Sequence, residues 1–233
     1  MPSAPGFSPK SLAFLRALKR NNDRAWFHAR RDDYERHVRA PITAIVEKLR
    51  EDFATFAPDL VADPRVSLFR PWRDTRFSED KSPLKTNVAA VFPNRVLGRM
   101  RGAGLYFEVA PTSVWIGGGV YAPDRTQLLA IREHIAANRA RLHRIVHAKA
   151  FAAIGGLKGD RLTRVPRGFP ADHPAADYLM YKQWLGAREE PAEFSVRPDF
   201  YAQLVSTTKA LLPLIRFLNE PLIDKQSRRA LDG

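Results

Sequence analysis

The spacing of apolar residues along this chain changes from helical to strand-like near Val66, and this change limits the folds open to it. Before Val66, apolar residues recur every three or four positions through three predicted helices, which begin after Ser8-Pro9 and are separated near 21–23 and at Pro41. After it come short alternating or β-branched runs at 66–69, 88–92, 104–110 and 114–121. Helices and strands therefore occur in blocks, which is typical of α+β proteins.

The second half of the chain adds further predicted elements around the strands. A long helix is expected after Pro123-Asp124, a short one within 174–184, and a last one from Asp199 to Leu218 with a kink at Pro213; runs 161–165 and 194–196 are predicted strands. We predict an α+β fold with a helical N-terminal layer, a central mainly antiparallel sheet and long helices packed on it. The prediction is one domain, 1–233, with its core at about 7–222 and frayed tails at 1–6 and 223–233.

Composition excludes several classes of protein. The chain has no cysteine, which removes disulfide scaffolds, thiolate nucleophiles and iron–sulfur ligation. It has no apolar run of the ~18 residues that a membrane span needs, and no secretory signal at its start. We therefore expect a cytoplasmic protein without a membrane partner.

The most informative segment is the charged loop, residues 73–87, which lies between two strand-like runs. Arginine forks bind planar or tetrahedral oxyanions, and lysine adds point charge, so the loop predicts a cleft for a phosphate or carboxylate. Asp74 and Asp80 would fix the arginines or assist a metal carried by the ligand. The cations of this cleft are Arg73, Arg76, Lys81 and Lys85. The alternative is a surface loop whose carboxylates neutralise its own cations.

A second segment, residues 166–174, is predicted to complete the cleft. Arg167 and Lys182 would add cations, and His173 is the only candidate acid or base if there is catalysis. The alternative for Asp172-His173-Pro174 is a capping and turn role. We predict no metal site of the protein's own, and the sequence leaves cofactors and catalysis open.

The glycine run at 117–119 invites a phosphate-loop interpretation that its context does not support. No Lys-Ser or Lys-Thr follows it, and it lies inside a strand-like run. Glycines within a strand more often mark a bulge or the close approach of another backbone. We predict such a close approach here, with a ligand lying against the glycines as the alternative.

Short motifs spread along the chain resemble one known family. They are Asn21-Asn22 with Trp26-Phe27, the run RDTRFSEDKSPLKT, Gly117 to Pro123, Pro166 to Phe169, Asp172 to Pro174, and Tyr181-Lys182. In this order they resemble the domain of unknown function 2461 family, from about Phe7 to Leu222. The chain differs at Leu84, where the family more usually has tyrosine. The family has no established activity, so the resemblance implies one domain and no particular function.

Positive charge supplies the alternative function. The net charge is +13, and arginine provides 28 of the 38 basic residues. A row on the long helix (Arg125, Arg132, Arg139, His143) and the interleaving of Phe69, Trp72 and Phe77 with arginines favour a nucleic-acid-associated module. The sequence thus predicts a protein that binds a small anion in a cleft, with nucleic-acid binding as the alternative.

Overall fold

The N-terminal layer of the computed structural model is helical, as predicted; the structure describes residues 4–74, 76 and 79–231. Helix α1 is Pro9–Arg20, α2 is Arg24–Ala29, α3 is Arg31–Tyr34 and α4 is Ala40–Phe56. The predicted boundary at 21–23 is confirmed, because Asp23 Oδ1 accepts the Trp26 N–H at 2.9 Å and so caps α2.

The predicted break at Pro41 is absent, and a π-helical turn, Glu35–Arg39, joins α3 to α4 instead. The Ala40 N–H donates to Glu35 O, five residues back. Proline lacks an N–H and its ring crowds the carbonyl four residues earlier, so a locally wider turn keeps the helix continuous. Proline therefore changes the helix type just before it without ending the helix.

The strands form a five-stranded antiparallel sheet with helices packed on it, which confirms the predicted α+β class. The strands are β1 (Val88–Phe92), β2 (Gly104–Val109), β3 (Ser113–Val120), β4 (Leu157–Lys158) and β5 (Trp184–Pro191). Their order in the sheet is β1-β2-β3-β5-β4, and Leu157 lies opposite Gly186.

Four further local predictions are wrong. The predicted strand at 161–165 is absent, and Arg161 forms only an isolated bridge to Tyr181. Residues 66–69 do not form a strand, because Asp63 accepts the Arg65 N–H at 2.7 Å and Pro64 opens helix α5, Pro64–Ser67. Residues 194–196 lie in a 3₁₀ turn, Ala192–Val196. Strand β5 was not predicted, since its second half, residues 187–191, carries an arginine and two glutamates and the whole strand lacks β-branched residues.

The remaining helices come after β3 in the sequence. The predicted long helix after Asp124 is two helices, α6 (Arg125–Ala137) and α7 (Arg139–Val146), which meet at Asn138. Helices α8 (Lys149–Ala152) and α9 (Ala176–Leu179) are short. The last, α10, is Phe200–Leu231 and contains Pro213 and Pro221. None of the helices in the described ranges is both long and apolar enough to cross a membrane.

The chain divides into two compact units, each with its own buried side chains. Unit 1 is Met1–Val91, Tyr106–Ile116 and Glu189–Ser206, and unit 2 is Phe92–Leu105, Gly117–Arg188 and Thr207–Gly233. The core of unit 1 includes Leu15, Ile42, Ile45, Leu49 and Phe107, and that of unit 2 includes Trp184, Phe151, Ile131, Leu142 and Phe217. The predicted single domain stays a prediction.

Candidate functional site

The two ends of the charged loop are held side by side in unit 1. The Arg73 N–H donates to Pro83 O at 2.9 Å, and the Lys85 N–H donates to Pro71 O at 2.7 Å. Trp72 and Leu84 form an isolated antiparallel bridge between these two bonds. The loop is therefore closed at its base. These backbone hydrogen bonds fix the positions of the two chain segments between which the charged residues lie.

Asn22 ties this base to the N-terminal helices. Its Nδ2 donates to Leu84 O at 2.9 Å, and its Oδ1 accepts the Leu84 N–H at 3.0 Å. The Leu84 side chain is fully buried. Asn22, which precedes the capping residue of α2, therefore satisfies both backbone groups of a loop residue whose side chain enters the core.

We expect the substitution Asn22→Ala to lower the free energy of unfolding by about 1–3 kcal/mol, because two part-buried backbone groups lose their partner. Chemical denaturation, followed by circular dichroism, measures this. The control is Asn21→Ala, since Asn21 is exposed and its side chain donates to Ala17 O in the helix that it follows. Equal losses in the two variants would contradict the anchoring role of Asn22.

The part of the loop beyond the Trp72–Leu84 bridge, residues 73–83, is called its tip, and carboxylates there neutralise two of the predicted anion-binding arginines. Arg73 forms an ion pair with Asp80. The Arg76 guanidinium contacts both carboxylate oxygens of Asp74, at 3.0 and 2.8 Å. Hydrogen bonds from Arg76 hold the pKa of Asp74 down at about 2. This is the self-neutralised arrangement given as the alternative from the sequence.

A small cavity lies at the base of the loop, on the side of Lys85. Its volume is about 120 Å³. It is lined by polar and aromatic side chains together with the edge of β1: Tyr34, Phe69, Arg70, Pro71, Lys85, Asn87, Val88, Ala89 and Tyr106. The Lys85 Nζ lies 4.7 Å from the centroid of the Phe69 ring, a cation–π contact. Of the predicted ligand-binding residues in the loop, Lys85 is the one that lines this cavity.

Tyr34 forms the buried wall of the cavity. Its side chain packs between the rings of Phe14 and Phe27, with ring centroids 5.9 and 5.1 Å away. The residue is only 6% exposed, and no other residue that the structure describes hydrogen bonds to its hydroxyl. Burial raises the pKa of Tyr34 to about 12. At neutral pH this side chain is therefore a neutral hydroxyl, able to donate a hydrogen bond into the cavity.

Glu108 on β2 organises the opposite wall. The Tyr106 hydroxyl donates to Glu108 Oε2 at 2.6 Å, and Asn87 Nδ2 donates to the same oxygen. The carboxylate thereby fixes the orientation of two side chains that line the cavity. Chemically, the cavity presents two cations, the Tyr34 hydroxyl and an oriented amide, so it is suited to hydrogen bonding with an oxyanion.

The other predicted site residues lie elsewhere. Lys81 is exposed near the loop tip. Arg167, His173 and Lys182 belong to unit 2. His173 Nδ1 accepts the Ala175 N–H at 3.0 Å, which agrees with the capping and turn role given as the alternative. Their part in the cleft, and the acid–base role of His173, stay predictions.

The basic row predicted on the long helix is interrupted. Arg125, Arg139 and His143 are exposed, but Arg132 is 8% exposed. Its guanidinium donates to Leu179 O at 3.0 Å and to Tyr181 O at 3.1 Å. Arg132 therefore joins helix α6 to the segment around α9, and it does not take part in a continuous phosphate-binding face. The aromatic loop of the same hypothesis includes Phe77, which lies outside the described residues.

Four residues of the cavity and its wall were not predicted from the sequence: Tyr34, Asn87, Tyr106 and Glu108. Arg70 was considered only as part of the nucleic-acid alternative. Glu108 offered a usable signal, because it is the one charged residue between Arg101 and Asp124. A lone carboxylate in an otherwise uncharged hairpin, two positions from a tyrosine, indicates a polar site on one face of the sheet. Tyr34 gave no such signal, since it fits the apolar side of a helix.

In the part of the chain that the structure describes, no three histidine or acidic side chains lie close enough to hold a metal ion.

Comparisons with known proteins identify the family alone. No curated protein and no solved structure matches the chain. The family model described as conserved hypothetical protein (DUF2461) matches residues 10–217, a range that contains all of the motifs noted above. The chain therefore belongs to the DUF2461 family.

Proposed function

We propose that the protein binds a small anion in the cavity at the base of the charged loop. The observation that carries the proposal is the Tyr34 hydroxyl, which belongs to a nine-tenths buried side chain on the cavity wall and has no hydrogen-bond partner among the described residues. The hydroxyl oxygen is not fully buried, so water or a ligand in the cavity can reach it. A bound oxyanion would accept the hydrogen bond that this hydroxyl can donate.

The charges around the cavity favour an anion over a neutral ligand. Arg70 and Lys85 both line it, and each brings a full positive charge. The Asn87 amide has two N–H bonds, of which Glu108 takes one. A volume of about 120 Å³ leaves room for a phosphate or a carboxylate group with its first waters.

The site proposed here keeps Lys85 of the predicted cleft but not its two loop arginines, Arg73 and Arg76. Arg73 and Arg76 are held by Asp80 and Asp74, so an anion at the tip would have to displace a carboxylate that is already in place. At the cavity, Lys85 lies against the Phe69 ring, with 4.7 Å between its Nζ and the ring centroid, and it lines the proposed site. The proposal is for binding, and it gives no residue a catalytic role. A cytoplasmic location remains the expectation from the sequence.

The test is isothermal titration calorimetry with inorganic phosphate at fixed ionic strength. We expect the Arg70→Ala, Lys85→Ala double variant to bind phosphate at least about tenfold more weakly than the unaltered protein, because two charge-assisted hydrogen bonds are lost. The matched control is the Arg73→Ala, Arg76→Ala double variant. It removes the same two units of charge from the neighbouring loop tip and should keep most of the affinity.

Tyr34→Phe separates binding from folding. The substitution removes a hydroxyl that bonds to no described residue, so we expect an unchanged melting temperature and phosphate binding weakened about fivefold. Undiminished affinity in both Tyr34→Phe and the Arg70, Lys85 variant would contradict the proposal. A loss confined to the Arg73, Arg76 variant would return the site to the loop tip.

A further inference from the structure

The cavity continues into a half-buried polar and aromatic strip on one face of the sheet. Side chains alternate between the faces of a strand, so Tyr106 and Glu108 share a face of β2. The ring centroids of Trp115 on β3 and Tyr106 are 5.6 Å apart, with an interplanar angle of 61°. This contact places Trp115 on the same face of the sheet. The Tyr106 ring also contacts the Phe69 ring, with 6.0 Å between the ring centroids. Three aromatic rings thus run from the cavity along the sheet, with Glu108 beside them.

Glu108 offers an unused acceptor on this strip. Its Oε2 takes the hydrogen bonds of both Tyr106 and Asn87. Its Oε1 accepts no hydrogen bond from any residue within the described ranges, and the side chain is only partly buried. The carboxylate is held in place by one oxygen, and the other can accept hydrogen bonds from a hydroxyl group.

We infer that the anion is the phosphate group of a sugar phosphate; this rests on the binding site proposed above. The phosphate would occupy the cavity at Arg70, Lys85 and the Tyr34 hydroxyl. The sugar would extend along the strip, with its C–H face against Tyr106 and Trp115 and a hydroxyl donating to Glu108 Oε1.

The two ends of the site explain why a single charged group is an incomplete ligand. Inorganic phosphate or acetate fills the cationic end but leaves the carboxylate and the aromatic faces in contact with water. A second anionic group would be repelled by Glu108, whereas a hydroxyl donates to it. Carboxylate acceptors beside aromatic rings fit a ring with several hydroxyls and an apolar face. The arrangement therefore favours a ligand that is anionic at one end and hydroxylated at the other.

The experiment compares ribose 5-phosphate, inorganic phosphate and free ribose by isothermal titration calorimetry, with the unaltered protein and with Glu108→Gln. The amide can keep one oxygen for Tyr106 and Asn87 but presents an N–H₂ donor where Oε1 was. We expect ribose 5-phosphate to bind at least about tenfold more tightly than phosphate in the unaltered protein. Glu108→Gln should remove that advantage, so that ribose 5-phosphate and phosphate bind this variant with affinities within about twofold of each other.

Failure of this inference is distinct from failure of the binding site. Equal affinities for phosphate and ribose 5-phosphate, unaffected by Glu108→Gln, would overturn the sugar-phosphate class and leave the anion site in place. Tight binding of adenosine 5′-monophosphate with no binding of ribose 5-phosphate would also overturn it, in favour of base stacking on the aromatic strip. No binding of any phosphate compound, or binding unaffected by Arg70→Ala, Lys85→Ala, would overturn the site and the inference together.

Discussion

Gly119→Ala is expected to destabilise the protein by roughly 3–5 kcal/mol and to lower its melting temperature by about 10 °C. Gly119 lies in β3 with a φ of +134°, a conformation that side chains other than glycine's rarely adopt. The strain of that conformation alone costs on the order of 1–3 kcal/mol.

Steric overlap adds to this strain. A Cβ at position 119 would collide with the backbone carbonyl oxygen of Trp184 in β5, and it would come within 3.0 Å of the carbonyl carbon and 3.1 Å of Leu185 Cα. These are backbone atoms in a paired strand next to a fully buried tryptophan, so they have no room to withdraw. Relief would require β3 and β5 to separate locally.

The control for Gly119→Ala is Gly156→Ala. Gly156 has a φ of +69°, but nothing lies within 4 Å of the Cβ that alanine would add. Gly156→Ala therefore measures the cost of backbone strain without the collision, and we expect about 1 kcal/mol. Thermal melts of both variants, followed by circular dichroism, give the comparison. Similar losses at 119 and 156 would show that the collision is relieved cheaply and would contradict the close approach of β3 and β5.

Asn219→Ala is expected to cost about 3 kcal/mol, the second large loss of stability. Asn219 in α10 is 1% exposed and bonds to both backbone groups of Ala103: its Oδ1 accepts the N–H at 2.7 Å, and its Nδ2 donates to the carbonyl at 2.9 Å. Ala103 is itself buried. Truncating the side chain leaves a donor and an acceptor without partners in an apolar setting, at about 1–3 kcal/mol each.

Asn138→Ala is the matched control for Asn219→Ala. The Asn138 side chain is half-buried and donates to His134 O at the end of its own helix, where water can replace it. Denaturation by urea should show a clear fall in midpoint for Asn219→Ala, with an unchanged slope, and a small fall for Asn138→Ala. Equal midpoints for the two variants would mean that water reaches Ala103 when the asparagine is shortened.

The sequence predicted the parts of the fold that depend on local pattern. The glycine run correctly indicated a close backbone approach, since only glycine fits where β3 meets the Trp184 carbonyl. Residues 88–92 and the hairpin at 104–121 were predicted nearly to their ends. Strand β5 was missed because a strand that carries Arg188, Glu189 and Glu190 owes its conformation to its neighbours in the sheet.

The site could be predicted only in part, for a related reason. Charge density pointed to residues 73–87, and Lys85 does line the cavity. Charge density cannot tell a cation that is paired within the loop from one that lines a cavity, and Arg73 and Arg76, predicted as anion ligands, form ion pairs with Asp80 and Asp74. Tyr34 and Glu108 lie 74 positions apart on different elements, and only the folded chain brings their neighbourhoods to one cavity.

The pairing of the loop's charges has a consequence for how an anion would reach the protein. Between Arg73 and Lys85 the chain has four cations and three carboxylates, so the loop contributes a net charge of only about +1. Within a Debye length of about 8 Å, paired charges of opposite sign largely cancel, and the loop attracts a distant anion little more than a neutral segment would. Long-range attraction of an anion would then come from the chain's net charge of +13, nearly all of which lies outside the loop, and the association rate should fall as salt is added.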